Sequence, residues 1–516
     1  MIKKFISYIS KQFFLIFLKL NFKKNKFKNF KDLNFKQQEF INYKLIKYYI
    51  FKDNFIKNSS VTDIHTFNFL FYYQKIGGEK GITLSKKNIF LWFDKFKFYN
   101  EFPWSDDFVA ARYLNLIYNY DFIFSISTEK EIKKINFLIN FHEKRFLFDF
   151  KRKKNEEISS IEIVALVLIK CLHNEFNNYF MNKIQEIINS QVDEIFMHKS
   201  YNVLEHAKFV NSLNEIKNIM LFYNIKSPEK INNQILAMTS LLSRYRHDDF
   251  SLPLFNGCNN NHNNVIQDIV DKEQFLKSRV LNSFVNGIAV YKDANKTIFF
   301  DVVQPTKYGF SRELSAGSLS IEISAGGEKL ITNCGGAESS GSNPSYLKYS
   351  AAHSTLIVNN TNISEVKESK KGGIFLKKVK YDTKENEDEA ILIGTHNGYL
   401  KNYRKICKRE LFINKKLDVI KGHDTIISSN SKFEKTVYHI RFHIMPNISP
   451  TITENKKSII MKTNKHNIWI FKSSSDISLE KSIYVENDIA RETSQIVING
   501  VTSSIRNKIK WSLEKI

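Results

Sequence analysis

The hydrophobic pattern of this chain changes period once, and that change constrains its fold more than any other feature. Up to about residue 245, apolar residues recur every three or four positions; beyond about residue 280 they alternate. A period near 3.6 lines one face of a helix, and a period of two lines one face of a strand. The order predicts a helical N-terminal part followed by a β-rich C-terminal part. The 516 residues suit two to four domains, at roughly 150 residues each. Three segments follow from the pattern: a basic lead-in over 1–60, a helical domain over 61–265 and a β domain over 280–516.

In the helical part, Pro103 and Ser105 precede a run in which Val109, Tyr113, Leu116, Ile117 and Tyr120 share a face. Ile161–Leu172 is apolar nearly all round, which predicts a buried helix. Phe209, Leu213, Ile216 and Met220 form the next stripe, and Ile231, Ile235, Met238 and Leu242 another. Helix follows helix with no strand between, as in the stacked hairpins of an incomplete α/α toroid. The polar stretch NGCNNNHNN at 256–264 breaks the pattern and places the junction between it and about residue 280.

The β part opens on SLSIEIS, where Leu319, Ile321 and Ile323 point one way and Ser320 and Glu322 the other. Gly326 and Gly327 turn the chain, and KLITN returns as the partner strand. Short strands are then predicted at 354–358, 407–413, 417–422, 439–444, 468–473 and 495–500. Regular short strands with polar turns indicate an antiparallel β-sandwich. No tandem repeat is evident.

Lys and Arg number 77 against 53 Asp and Glu, a net charge of +24. Such a surface attracts polyanions, although Lys, Asn, Ile and Phe are abundant throughout, as an AT-rich coding sequence produces. The four cysteines, Cys171, Cys258, Cys334 and Cys407, form no CxxC pair, so neither a zinc ribbon nor a redox motif is indicated. At the N-terminus, Lys3 and Lys4 precede an apolar run over Phe13–Leu18 bracketed by Lys11 and Lys19. That run is shorter than the roughly 20 residues a bilayer span takes. It reads as a basic amphipathic surface helix, with an uncleaved export signal as the alternative, and allows peripheral membrane contact.

Several segments resemble those of the heparinase II/III family. They are SAGSLSIEISAGGEKLITNCG (315–335), YLKYSAAHSTLIVNN (346–360), YRKICKRELFI with LDVIKGHDTI (403–426) and IRFHIMP (440–446). In the helical half, WSDDFVAARYLNLI (104–117) and LLSRYRHDDFSLPLFNG (241–257) resemble a divergent branch of that family. Each motif alone is weakly specific; their shared order over residues 60–516 carries the resemblance.

The resemblance implies a toroid followed by a sandwich, a site in the cleft between them, and cleavage of an acidic polysaccharide by β-elimination. The proton beside a uronate carboxylate is only weakly acidic, so the carboxylate must be neutralised as charge develops. A base takes that proton and an acid protonates the leaving sugar oxygen, roles usually filled by Tyr and His.

His353 stands where the family's signature histidine stands, which is catalytic or a metal ligand there; it is the first catalytic candidate, and a histidine that only hydrogen-bonds at a strand start is the plainer reading. Arg244, Tyr245, Arg246 and His247 follow one another after Leu242. Tyr245 and His247 are the next catalytic candidates, with Arg244 and Arg246 as uronate binders, although a cationic helix end reads equally well. Asn202 and His206, in HKSYNVLEHAK (198–208), are binding candidates in the region of the family's missing tyrosine; a capping Asn and a surface His are the plainer readings. His443 is a further binding candidate, or a core histidine among apolar neighbours.

The family's metal positions read here as Ser315, Asn333 and His353. Neutral Ser and Asn with one His make a poor zinc site, so no metal or other cofactor is expected. Three functions compete: a lyase acting on an acidic polysaccharide, a glycan-binding or envelope protein that kept the fold and lost the chemistry, and a nucleic-acid binder. The last lacks any helix-turn-helix, zinc or RRM-type motif. The resemblance implies the periplasm or cell envelope, while the absence of a clear cleavable signal leaves the cytoplasm open. Oligomeric state is not readable.

Overall fold

The computed structural model describes residue 11 and residues 62–272, 287–304, 310, 314–337, 344–366, 378–429, 433–486 and 488–516. The basic lead-in expected over 1–60 lies outside the described residues except for Lys11, as does the second half of the expected domain junction, 273–280. Among the described residues, no helix is long and apolar enough to cross a membrane. The chain divides into two compact units. One comprises Met1–Gln191, Lys208–Ile235 and Ser339–Gly341; the other comprises Val192–Ala207, Leu236–Glu338 and Ser342–Ile516. The pattern places a boundary between 265 and 280, whereas contact density groups residues 192–207 and 236–272 with the strands.

The helices run α1 Thr62–Thr66, α2 Phe69–Ile76, α3 Gly78–Lys95, α4 Asp106–Tyr118, α5 Tyr120–Phe124 and α6 Glu129–Phe150. They continue as α7 Ser160–Leu172, α8 Asn178–Gln191, α9 Val203–Phe222, α10 Glu229–Arg244 and α11 Asn263–Lys272. Capping boxes start two of them: Thr128 with Glu131 on α6 and Ser159 with Glu162 on α7. Helix α7 is buried from Glu162 to Ile169, as its all-round apolar sequence predicts. Helix α4 is buried on every side from Val109 to Tyr118, beyond the single stripe predicted for it. That burial includes Arg112, whose Nε donates to His142 Nε2 at 2.9 Å and whose Nη1 donates to the Pro103 carbonyl at 2.8 Å. Its guanidinium lies 4.2 Å from the Trp92 ring centre and 5.0 Å from that of Trp104. Stacking on indoles is one of the few ways to bury an arginine without a counter-ion.

The second unit contains strands β1 Gly287–Lys292, β2 Lys296–Val302, β3 Ile321–Ala325, β4 Glu328–Thr332, β5 Leu356–Val358, β6 Val379–Glu385, β7 Glu389–His396 and β8 Lys405–Asn414. A short helix, α12 Leu400–Tyr403, precedes β8. The remainder are β9 Val419–Ser428, β10 Val437–Ile444, β11 Ser449–Ile452, β12 Ser458–Lys462, β13 Ile468–Ser473, β14 Ile477–Glu486, β15 Ile489–Val501 and β16 Arg506–Lys515. One sheet has the order β1-β2-β3-β4-β10-β15-β14, with β5 paired to β10. The other has the order β11-β12-β13-β16-β9-β8-β7-β6.

The sheets meet through aromatic residues. Phe442 on β10 lies 4.9 Å from Phe471 on β13 and 4.8 Å from Trp511 on β16, between ring centres. Gly422 on β9 makes room for that indole: a Cβ there would fall 2.1 Å from Trp511. The predicted Gly326-Gly327 turn joins β3 to β4, with φ of 62° and 73°, the left-handed pair that a two-residue hairpin requires. Leu319 departs from the predicted alternation. Its φ is 59° and it precedes β3, so regular alternation begins only at Ile321.

Candidate functional site

The predicted polar face of β3 does not meet solvent. Every residue of β3 and β4 is buried, and the polar face forms a layer around the Glu322 carboxylate. Its Oε2 accepts from Lys329 Nζ at 2.6 Å and from His247 Nε2 at 2.9 Å. Its Oε1 accepts from the Asn333 backbone N at 2.9 Å, Asn333 Nδ2 at 3.1 Å and Thr332 Oγ1 at 3.3 Å. Burial opposes ionisation, but Lys329 and His247 outweigh it and bring the Glu322 pKa down to about 2. Lys329 is likewise opposed by burial and held charged by Glu322. Burial, then the Lys329 charge, lowers the pKa of His247. The pair is therefore ionic, with a neutral imidazole as a third member. Lys329 also donates to the Leu252 carbonyl at 3.3 Å, and His247 Nδ1 is bonded to Ser324 Oγ. A buried charge pair is tolerable only when so fully satisfied.

Asn333 connects this layer to His353. Its Nδ2 is bound to Glu322, and its Oδ1 accepts from the Ser354 backbone N at 2.9 Å. Ser354 Oγ donates to the Thr332 carbonyl at 2.6 Å and accepts from the His443 backbone N at 2.9 Å. Arg409 Nη1 donates to the carbonyls of Ser354 at 2.8 Å and Leu319 at 2.9 Å. Asp424 fixes that guanidinium through Nε at 2.7 Å and Nη2 at 3.0 Å, and itself accepts from Trp511 Nε1 at 2.9 Å. The β3–β4 hairpin, the His353 segment, the Arg-rich strand with its following Asp, and the IRFHIMP strand thus converge on the two residues 353–354.

His353 follows a short 3-10 turn over Ser350–Ala352. Its side chain is buried (3% exposed), and neither ring nitrogen makes a well-aligned hydrogen bond among the described residues. Gly317 lies flat against the ring, since a Cβ there would fall 2.8 Å from His353 Cγ. Burial lowers the His353 pKa to about 4, with the Glu322 charge acting the other way. His443 is its neighbour. Burial, then the His353 ring, lowers the His443 pKa to about 3. His443 Nδ1 is bonded to Ser482 Oγ at 2.7 Å, its Nε2 makes no well-aligned hydrogen bond among the described residues, and the backbone of Ala351 and His353 acts weakly on the ring. The buried hydroxyls of Ser315, Ser318 and Ser320 make no such bond either. Both imidazoles are neutral at neutral pH.

The other candidates are held elsewhere. Tyr245 donates its hydroxyl to the Ile288 carbonyl at 2.6 Å, and burial pushes its pKa well up. Arg246 spends Nε and Nη2 on the Phe250 carbonyl and Nη1 on Gln267. Arg244 ends α10 half-buried, and burial lowers its pKa beside Tyr245 and Tyr381. His206 is a satisfied core histidine, with Nε2 to the Met238 carbonyl at 2.8 Å and Nδ1 accepting from the His198 backbone N. Asn202 caps α9 by accepting from Leu204 N and Glu205 N, and its Nδ2 donates to the Asn256 carbonyl. Asn256 in turn accepts from Ser315 N, so Asn202 reaches the His353 surroundings only through Asn256. The four-residue Arg244–His247 cluster is therefore not one site. His247 joins the Glu322 layer, and its neighbours do not.

A zinc does not fit the positions of Ser315, Asn333 and His353. Both ends of the Asn333 amide are already bonded, and no group of three His, Cys, Asp or Glu among the described residues is placed to hold a metal. Sequence reasoning missed Glu322, Lys329 and Ser354. The only signal for Glu322 was its place on the polar face of SLSIEIS.

Residues 281–512 match the family model described as Heparinase II/III-like, C-terminal. No curated protein matches the sequence significantly. Among solved structures, a crystal structure of heparinase III superposes over 100% of this chain and 91% of its own, with a TM-score of 0.72 at 13% identity. A heparinase III, the BT4657 gene product, covers 100% and 90%, with a TM-score of 0.63 at 11% identity. The heparan sulfate lyase HepC from Pedobacter heparinus covers 87% and 76%, with a TM-score of 0.56 at 13% identity. At these identities the likeness is one of fold: a helical N-terminal part followed by an antiparallel β-sandwich.

Proposed function

The chain belongs, through residues 281–512, to the heparinase II/III-like C-terminal family, and from that premise we propose that it cleaves an acidic, uronate-containing polysaccharide by β-elimination. In that reaction the proton beside the uronate carboxylate leaves to a base. A carbon–carbon double bond forms, and the bond to the glycosidic oxygen breaks as that oxygen is protonated. His353 is the group we assign to the proton transfer. The observation that carries the assignment is its state. It is a neutral, buried imidazole whose ring makes no well-aligned hydrogen bond, with only a weak contact to the Leu347 backbone, in a segment fixed through Ser354 by Asn333 and Arg409. A neutral imidazole is the form that can accept a proton, and a fixed one loses little entropy in doing so; with a pKa of about 4, His353 acts as a base once the uronate's negative charge raises that value. His443 is the adjacent imidazole, and it stays neutral beside His353. HepC being a heparan sulfate lyase, heparan sulfate is the first polymer to try. The periplasm or cell envelope is the compartment this reading expects. Incubation with a panel of uronic-acid polymers, with unsaturated uronate followed by ultraviolet absorbance, tests it; no absorbance on any polymer counts against it.

A second reading has its own observation. Tyr245 and His247, the residues expected to complete the chemistry, are fully committed to Ile288 and to Glu322. A protein that binds the glycan without cleaving it would look the same there. Binding without turnover, unchanged by His353→Ala, is the outcome that favours it.

A further inference from the structure

The outer face of the second sheet carries a row of cations whose nearest carboxylates, Glu410 near Lys508 and Glu514 near Lys421, are bonded directly to other lysines. Along β16, alternate residues share a face, and Arg506, Lys508 and Lys510 are exposed while Ile509, Trp511 and Leu513 are buried. Register places Lys510 opposite His423 and Ser512 opposite Lys421 on β9. Exposed Lys421 therefore sits diagonally from Lys510. None of these four cations has an ion-pair partner among the described residues. The flanking strands add Lys408, paired with Glu410 at 2.6 Å, and Lys472, paired with Glu514 at 2.7 Å. Six cations thus face two carboxylates. The platform between them is Phe412 against His423, with ring centres 4.7 Å apart, and His423 Nδ1 is unpartnered.

Mobile surface lysines cost little when scattered, and a like-charged cluster is mildly destabilising by self-repulsion. Here the cations follow one strand in two-residue steps of about 7 Å, with the next strand about 4.8 Å away. That is a linear track, suited to an extended polyanion. A single-stranded nucleic acid would need open aromatic faces for base stacking. The one aromatic side chain here is half-buried and covered by His423.

We propose that the β9–β16 face, through Lys421, Arg506, Lys508 and Lys510, is an accessory binding surface for a linear acidic polysaccharide. It holds the polymer at a place other than His353. The choice of glycan over other polyanions rests on the reading given under Proposed function; the surface itself rests on the unpaired cations.

The test uses the full chain with heparan sulfate as probe. Lys421→Glu/Lys508→Glu/Lys510→Glu is compared with Lys80→Glu/Lys87→Glu/Lys130→Glu, which makes the same charge change on exposed helical residues. The strand triple is expected to bind heparan sulfate roughly tenfold more weakly, with a shallower salt dependence, since each lost surface contact contributes modestly. The helical triple should bind like wild type, and both should melt like wild type. Cleavage of a short oligosaccharide should be unchanged in both. Equal weakening by the two triples, or equal weakening toward single-stranded DNA of similar length, overturns the proposal. Wild-type binding that the strand triple reduces, without cleavage by any variant, sinks the lyase reading and leaves the surface standing. If the strand triple alone misfolds, Lys421→Gln/Lys508→Gln/Lys510→Gln replaces it under the same criteria.

Discussion

Asn333 Nδ2 donates to Glu322 Oε1 at 3.1 Å, and through the other end of the same amide it holds the backbone N of Ser354. One side chain thus couples a buried ion pair to the residue following His353. The ion pair sits under the site as a fixed base, and its integrity sets where His353 lies.

Lys329 and Glu322 are both fully buried, so removing one strands the other's charge. Lys329→Met and Glu322→Gln should each destabilise by about 3–5 kcal/mol, the range for breaking a buried pair. The double variant should cost clearly less than the sum. Chemical denaturation of the four proteins measures this; additive losses, or a loss under about 1 kcal/mol for Lys329→Met, would contradict the pairing.

The histidines set a pH dependence. The pKa values of His353 and His443 are depressed to about 4 and about 3, below the unfolded value near 6.5. As pH falls below 6.5 the unfolded chain takes up these protons first, so stability falls through pH 6 toward 4. Glu322, depressed to about 2, adds a loss as pH falls from about 4.5 toward 2. Melting temperature against pH should fall over both windows. His443→Gln should make the upper one shallower, with His353, His142, His198, His206 and His396 still contributing to it, and leave the lower unchanged.

Tyr245→Phe removes the hydrogen bond to the Ile288 carbonyl. A loss of about 1–2 kcal/mol is expected for a buried bond whose acceptor stays behind. Any glycan turnover should remain. A hundredfold fall in turnover with intact folding would return Tyr245 to the catalytic group.

Gly317→Ala places a methyl 2.8 Å from His353 Cγ. The ring must shift, so turnover should fall by more than the fraction unfolded explains. Circular dichroism and turnover on one preparation separate the two effects.

The order of helices and strands was legible because a change of period survives any composition, and the positions of β8, β10 and β13 follow their alternation closely. His353 was singled out by its motif alone, and its role is a proposal. The ion pair was not, because alternation on β3 directs Glu322 away from the apolar face, and charged side chains there usually meet water. Here Lys329, two positions after the glycine turn, meets it instead. The run from Arg244 to His247 misled for a local reason. Once α10 ends, successive side chains leave the backbone in different directions, and Tyr245, Arg246 and His247 reach Ile288, Phe250 and Glu322 respectively. Adjacency in sequence outside a regular element does not place side chains together.

The most direct measurement compares wild type with His353→Ala on heparan sulfate and other uronic-acid polymers, following unsaturated uronate. Wild type is expected to release it on at least one polymer. His353→Ala should be slower by about 100-fold or more, the usual contribution of a general acid–base group, with an unchanged melting temperature. Cleavage by wild type that His353→Ala leaves intact, or glycan binding with no cleavage on any polymer, would contradict the account.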